Sequence, residues 1–238
     1  MVKLGIKLTF IEECLGMGTP DPETYAAYIA ANKPAEQESS EERKDRIKEE
    51  VDSITKKPEE KEGEDNEEDE EVEEKTLVFP KDDDNNPIFF DYQIIGYFKE
   101  SAKALNRCKG EDFAKETTSI KAFKSVINDC FFVFPRKVKI NIPEGKEMGS
   151  CTRSIRCETA QGPRIALGIS ETVPEGSTCE FEVLLLSDKY RNFLIECLNY
   201  GFLRGTGGWR NSGKGKFTYE ILSEEKVDSI PNAHPTKK

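Results

Sequence analysis

An α+β fold is predicted by three features of the 238-residue sequence. Apolar residues alternate with polar ones near the start (Leu4, Ile6, Leu8, Phe10) and again over residues 178–186, the signature of half-buried strands. Residues 92–107 carry Ile95, Phe98, Ala102 and Leu105 at spacings of three and four, the signature of an amphipathic helix, and residues 190–200 form a second helix-like run. Between the first strand and the first helix lies a long acidic tract with almost no apolar residues.

The elements follow in order. After the first strand, a loop from Cys14 to about Lys75 absorbs the acidic tract and leaves room for a short helix at 21–32. The chain returns extended over 76–80 and turns through the Asp/Asn-rich segment 82–87. The first long helix is followed by a second helical stretch at 119–129 and by strands at 131–134 and 138–142. Residues 153–169 read as a strand or a short hairpin, broken by the Gln161-Gly-Pro163 turn. The 178–186 strand runs into Ser187 and Asp188, either of which can cap the last helix. A Gly-rich turn and a final strand at 216–222 close the body. Without its insertions this order is β-α-β-β-α-β, the split βαβ arrangement of ferredoxin-like (RRM-like) folds. The expected core gathers Leu4, Ile6, Leu8, Ile95, Phe98, Leu105, Val183, Leu185, Phe193 and Leu194, with both long helices on one face of a single sheet. The implied boundaries are 1–35 (first strand and loop), 36–75 (acidic insertion), 76–222 (remainder of the domain) and 223–238 (flexible tail).

Charge is unevenly spread. The formal net charge is −11, but residues 36–75 alone hold twenty Asp/Glu against eight Lys/Arg, and the rest of the chain nets +1. Within that tract only Ile47, Val51, Ile54 and Val72 are large and apolar. Such a segment cannot bury enough surface to offset the cost of ordering its backbone, so it is expected to be disordered. A solvated spacer and a nucleic-acid mimic are the two roles open to it.

Several chemistries are unfavourable. The seven cysteines form no Cys-x-x-Cys pair, and their odd number suits a reducing, cytoplasmic setting. The N-terminal segment alternates like a strand and lacks the apolar core of a secretory signal. No uncharged apolar stretch approaches about 18 residues, so no membrane contact is expected. The sole histidine is His234, in a Pro-rich tail. Zinc sites and imidazole-activated nucleophiles are therefore unexpected, and neither a metal nor a cofactor is implied.

The most informative segment is Gly205-Thr-Gly-Gly-Trp-Arg-Asn-Ser-Gly-Lys-Gly215, two Gly-X-Gly units five residues apart. No acidic residue lies between Glu196 and Glu220, whereas Arg204, Arg210, Lys214 and Lys216 do. Glycines let backbone N–H groups approach a phosphate, and nearby cations add charge. A flexible hairpin turn is the alternative reading.

This segment resembles the glycine-rich loop of the RAMP superfamily, whose members bind or cut guide RNA in Class 1 CRISPR effector complexes. That loop has two Gly-h-Gly units separated by five residues that include a cation. The spacing is kept here, although Thr206 and Lys214 stand at the apolar positions. Residues 173–183, beginning Val173-Pro-Glu-Gly, are similar to a turn feeding an inner strand of the subunits that form the backbone of those complexes. Residues 92–103 resemble the start of their first helix, with Lys99 at the family lysine and Phe98 at its leucine, while Ile94-Ile95 replace a Pro-Gly pair. The chain also resembles proteins carried by phages and prophages.

The resemblance implies RNA as ligand, within a multisubunit ribonucleoprotein, with phosphates near the Gly-rich loop and the first-helix N-terminus. Gly205, Gly207, Gly213 and Gly215 would allow close backbone approach. Arg204, Arg210, Lys214 and Lys216 would supply charge, and Asn211 and Ser212 would hydrogen-bond phosphate or ribose. Trp209 and Tyr97 would stack on bases, the alternative for Trp209 being a core anchor under the loop. Lys99 and Lys103, one turn apart, would reach the RNA backbone or remain solvated. Arg153, Arg156 and Arg164 sit where the family has a projecting hairpin, and would either touch RNA or support a surface turn.

Catalysis is not expected. Some relatives cut RNA with an aspartate after the first strand, and Asp21 is the only counterpart here, in a setting that does not match the family motif and equally suits a helix cap. Three functions therefore stand side by side. They are a non-catalytic RNA-binding module (an effector subunit or a phage-borne mimic), a metal-dependent endoribonuclease using Asp21, and a phage interaction or structural protein acting through its acidic tract.

Overall fold

The computed structural model describes residues 1–18, 74–159 and 162–228, with side chains at all of these except 74–76, 155–159 and 162–166. Asp21, the helix expected at 21–32 and nearly all of the acidic tract lie outside the described residues. The tract's last two residues, Glu74 and Lys75, belong instead to a strand, β3 (Glu74–Leu77).

The fold is α+β. Strand β1 (Val2–Phe10) buries Val2, Leu4, Ile6, Leu8 and Phe10, so its period-two pattern places one full face in the core. Each such side chain contributes about 1.5–3 kcal/mol of transfer free energy. β1 pairs antiparallel with β10 (Phe217–Lys226) on one side and with β9 (Thr178–Leu185) on the other. The far edge of β9 takes β5 (Phe131–Phe134) and then β6 (Lys137–Asn141), and β4 (Ile88–Phe90) pairs with β6. Between these two pairings, residues 135–139 stand opposite only residues 180 and 181. That excess bends the strand outward, as bulges do, and presents β6 to β4.

Two long helices cover one face of this sheet. Helix α1 (Asp91–Leu105) buries Ile94, Tyr97, Phe98, Ala102 and Leu105. Ile95, expected in the core, is only partly buried because Ile94 sits on the inward stripe instead. The last long helix, Arg191–Arg204, buries Phe193, Leu194, Cys197 and Leu198. The rings of Phe98 and Phe193 both pack on Phe131, 6.2 and 5.6 Å away between centroids. Of the remaining predicted core residues, Leu4, Ile6, Leu8, Val183 and Leu185 are buried in the same cluster, and Leu105 is buried on α1.

The helix expected at 119–129 is α3 (Phe123–Cys130), and a separate short helix, α2 (Lys115–Ser119), precedes it; the long helix Arg191–Arg204 is therefore α4. A distant cap holds the first turn of α2. The Glu196 carboxylate on α4 accepts hydrogen bonds from the Glu116 and Thr117 amides, both at 2.8 Å, and from the Thr117 hydroxyl at 2.6 Å. These fix α2 against α4, and Thr117 is fully buried. Glu196→Ala is accordingly expected to cost about 1–3 kcal/mol, since it strands amide donors in a part-buried setting. A melting temperature equal to wild type would show that the cap is dispensable.

A second sheet is built on a hairpin. β7 (Gly149–Thr159) and β8 (Gly162–Val173) pair without interruption from Gly149–Thr172 to Thr159–Gly162. The hairpin expected to be short thus has strands of 11 and 12 residues. The other edge of β8 receives β2 (Cys14–Leu15) antiparallel and β3 parallel. The last strand is longer than the expected 216–222, since β10 runs to Lys226, and the Val227 amide donates to the Met1 carbonyl at 3.0 Å.

Candidate nucleic-acid interface

The Gly-rich loop connects α4 to β10 and closes tightly on itself. The Gly205 amide donates to the Gly201 carbonyl at 2.9 Å, ending the helix. The Thr206 amide donates to the Gly215 carbonyl at 2.9 Å, joining the two Gly-X-Gly units. Two further bonds pin the loop to the segment around β2, Gly208 N–H to Leu15 O at 2.9 Å and Gly215 N–H to Glu13 O at 2.8 Å. At the tip, the Ser212 and Gly213 amides donate back to Trp209 and Arg210 at 3.0 Å, forming a single 3₁₀ turn.

These bonds change the expected role of the glycines. A Cβ at Gly215 would lie 1.8 Å from the Thr206 carbonyl oxygen, and one at Gly205 would lie 2.4 Å from the Gly215 backbone. A Cβ at Gly207 would come within 2.6 Å of the Cys14 sulfur. All three therefore serve close approach of protein to protein rather than of protein to phosphate. Gly213 differs: its φ is +81°, and among the described residues nothing lies nearer than 3.7 Å to a Cβ placed there. Gly213 is the one of the four with room for a ligand.

The cations sit around this tip. Arg210 makes an ion pair with Glu100 of α1, and Lys214 makes one with Glu13 beside β2. The Glu13 hydrogen bond raises the Lys214 pKa, keeping it charged across the neutral range. Arg153 of β7 lies over the Trp209 ring, its guanidinium carbon 5.4 Å from the centroid. This cation–π contact ties the hairpin to the loop. Trp209 remains 37% exposed and is not a core anchor. Asn211 and Ser212 are exposed, Arg204 and Lys216 are half-buried, and neither of these two cations has an ion pair among the described residues.

Other predicted residues fall elsewhere. Tyr97 cannot stack on a base, because it is 6% exposed and its hydroxyl donates to the Cys197 carbonyl at 2.6 Å, between the two helices. Its inward position follows from the stripe it shares with Ile94 and Ser101. Lys99 is half-buried and Lys103 exposed on α1, adjacent to and one turn beyond the Glu100 that meets the loop. Arg156 and Arg164 lie in β7 and β8 at adjacent register positions. The α1 N-terminus, expected to offer free amides to phosphate, is already covered. Gln93 Oε1 accepts the Phe90 amide and Asp91 Oδ1 the Tyr92 amide, both at 2.8 Å, and the Asp91 charge opposes an anion.

Two surfaces contrast with the loop. On the sheet face away from the helices, Lys3 pairs with Glu182 at 3.1 Å and Glu225 at 3.5 Å, and Lys7 with Glu180 at 3.5 Å. The exposed Phe132 and Phe134 adjoin these carboxylates. The buried thiols are also quiet. Desolvation pushes Cys179 up to about 12 and raises Cys14 and Cys197 as well, so none is a thiolate near neutral pH.

Sequence reading missed Glu13, Glu100 and the Arg153–Trp209 contact. No known protein-family profile matches the sequence, and no curated protein matches it. Solved structures do. One is a chain of the type III-B Cmr-beta complex bound to cognate target RNA, with 10% identity and a TM-score of 0.48, covering 94% of this chain. This chain spans 60% of that one's length. Another is a chain of a type IV-B CRISPR complex, with 11% identity and a TM-score of 0.47, covering 98% of this chain and 95% of that one.

Proposed function

We propose that this chain is a non-catalytic RNA-binding module of RAMP type, which holds the sugar–phosphate backbone of a single-stranded guide or target RNA at its Gly-rich loop. The observation that carries this reading is the tip of that loop. Arg153 of the hairpin lies over the exposed Trp209 of a loop that also carries Arg210 and Lys214, on a backbone pinned by two hydrogen bonds to the Glu13–Leu15 segment. Fixed cations neutralise phosphates without reading bases, and an exposed indole offers a stacking surface to any base. Half-buried Arg204 and Lys216 extend the positive charge along the loop's base.

The reading includes the ferredoxin-like arrangement, in which β1, α1, β5–β6, β9, α4 and β10 are the split βαβ core and the β7–β8 hairpin is an insertion. It also includes the acidic tract at 36–75 as a separate insertion, a cytoplasmic setting, and either a subunit of a CRISPR effector-type ribonucleoprotein or a phage-borne mimic of one as its biological form. RNA is favoured at the loop over the open sheet face by the balance of charge: the loop gathers Arg153, Arg204, Arg210, Lys214 and Lys216 with the paired Glu13 and Glu100, whereas on the sheet Glu180, Glu182 and Glu225 outnumber Lys3 and Lys7.

The test is direct. The purified full chain, mixed with a fluorescently labelled single-stranded RNA at low salt, should raise its anisotropy and lose that signal steeply as salt increases. RNA that copurifies should be removed by RNase. A chain that binds no single-stranded RNA at low salt would end this reading.

A further inference from the structure

Both cations at the loop tip already hold a carboxylate. Glu13 lies beside β2 and Glu100 on α1, so the two anions come from different elements and approach the loop from outside it. In each pair the cation is the more covered partner: Arg210 and Lys214 are 26% and 24% exposed, Glu100 and Glu13 40% and 34%. The accessible end of each pair is therefore negative. A phosphate that takes the donors now given to these carboxylates displaces an anion that the protein itself supplies.

We propose that Glu13 and Glu100 are intramolecular competitors of RNA, each occupying the position a phosphate takes in the bound state. The inference rests on the loop being the RNA site. Binding then proceeds by exchange, in which Arg210 releases Glu100 and Lys214 releases Glu13 as two phosphates arrive. Exchange is feasible because partly exposed ion pairs are weak, and a guanidinium grips phosphate in a two-pronged fork as well as it grips carboxylate. The carboxylates set a threshold. A lone anion gains little by replacing one, whereas a strand that engages both cations and Trp209 at once recovers the cost. Glu13 and Glu100 thus favour a continuous strand over isolated nucleotides, and they lower the affinity for any RNA below what the bare cations would give.

The experiment uses the full chain and its Glu13→Gln, Glu100→Gln and double variants, with labelled single-stranded RNA in a salt series. Glutamine keeps the size of the side chain and removes the charge. Each single variant should bind about two- to fivefold more tightly at low salt, from the free energy of one exposed pair. The double variant should also show a salt dependence steeper by roughly 0.7 in the logarithmic slope for each cation freed. Glu182→Gln, which removes one equal charge on the open sheet face, should change neither quantity appreciably and separates exchange from net charge. Melting temperatures of all variants establish that they fold. If wild type binds RNA and the Gln variants bind equally or more weakly, the carboxylates are positioning groups or bystanders and the inference fails while the RNA site stands. If neither wild type nor the double variant binds, the RNA site falls and this inference with it.

Discussion

Arg210→Ala combined with Lys214→Ala is expected to weaken single-stranded RNA binding about ten- to hundredfold at low salt. The double variant loses two charge-assisted contacts and leaves Glu100 and Glu13 facing the site without counter-ions. Loss should be nearly independent of RNA sequence, because phosphate contacts carry no base information. The logarithmic dependence on salt should become shallower by roughly 0.7 for each contact removed. Affinity unchanged from wild type would place the RNA elsewhere on the molecule. A loss confined to particular sequences would mean that these side chains read bases.

Gly215→Val should be still more damaging, and for a mechanical reason. A Cβ at this position would overlap the Thr206 carbonyl oxygen at 1.8 Å, and the residue's φ of +70° is itself unfavourable for any side chain. Relief requires opening the Thr206–Gly215 and Gly215–Glu13 hydrogen bonds that close the loop. We expect about 3–5 kcal/mol of destabilisation, together with loss of RNA binding. Gly213→Val is the informative companion. Its φ of +81° carries a cost of about 1–2 kcal/mol, but the space around it is open, so the loop should stay closed. Its main effect should be on ligand approach, with binding lost in a folded protein. Thermal melting and anisotropy measured on both variants separate the two roles. Equal stability of Gly215→Val and wild type would contradict the closed loop.

The parts of the fold that were legible in the sequence are those whose signal is local. β1 and β9 bury every second residue, and the period-two pattern states this directly. The long helices were legible for the same reason, down to Phe98 and Phe193. Tyr97 was misread because an aromatic with a hydroxyl suits a stacking role, although its spacing of three from Ile94 already put it on the buried stripe. Short strands were invisible: β2 has two residues, and its role is to receive Gly208 and β8. The anchoring of α2 depends on Glu196, some 80 residues away.

The candidate site was half legible. Its glycines and cations are contiguous, so their spacing marked the loop at once. What the spacing could not reveal is the electrostatics. The run from 197 to 219 has no carboxylate of its own, yet Glu100 is 110 positions from Arg210 and Glu13 is 201 positions from Lys214. Folding brings to the cationic tip the negative charge that the local sequence lacks. The same is true of the glycines, whose partners at Glu13 and Leu15 lie at the other end of the chain.

Ultraviolet crosslinking of bound single-stranded RNA to the full chain, with the crosslinked peptides mapped by mass spectrometry, locates the RNA on the protein surface. RNA held at the Gly-rich loop should leave adducts on the peptide containing Trp209 and on the neighbouring β7 segment around Arg153. Adducts concentrated on Phe132 and Phe134 of the open sheet face, with none at the Gly-rich loop, would contradict it.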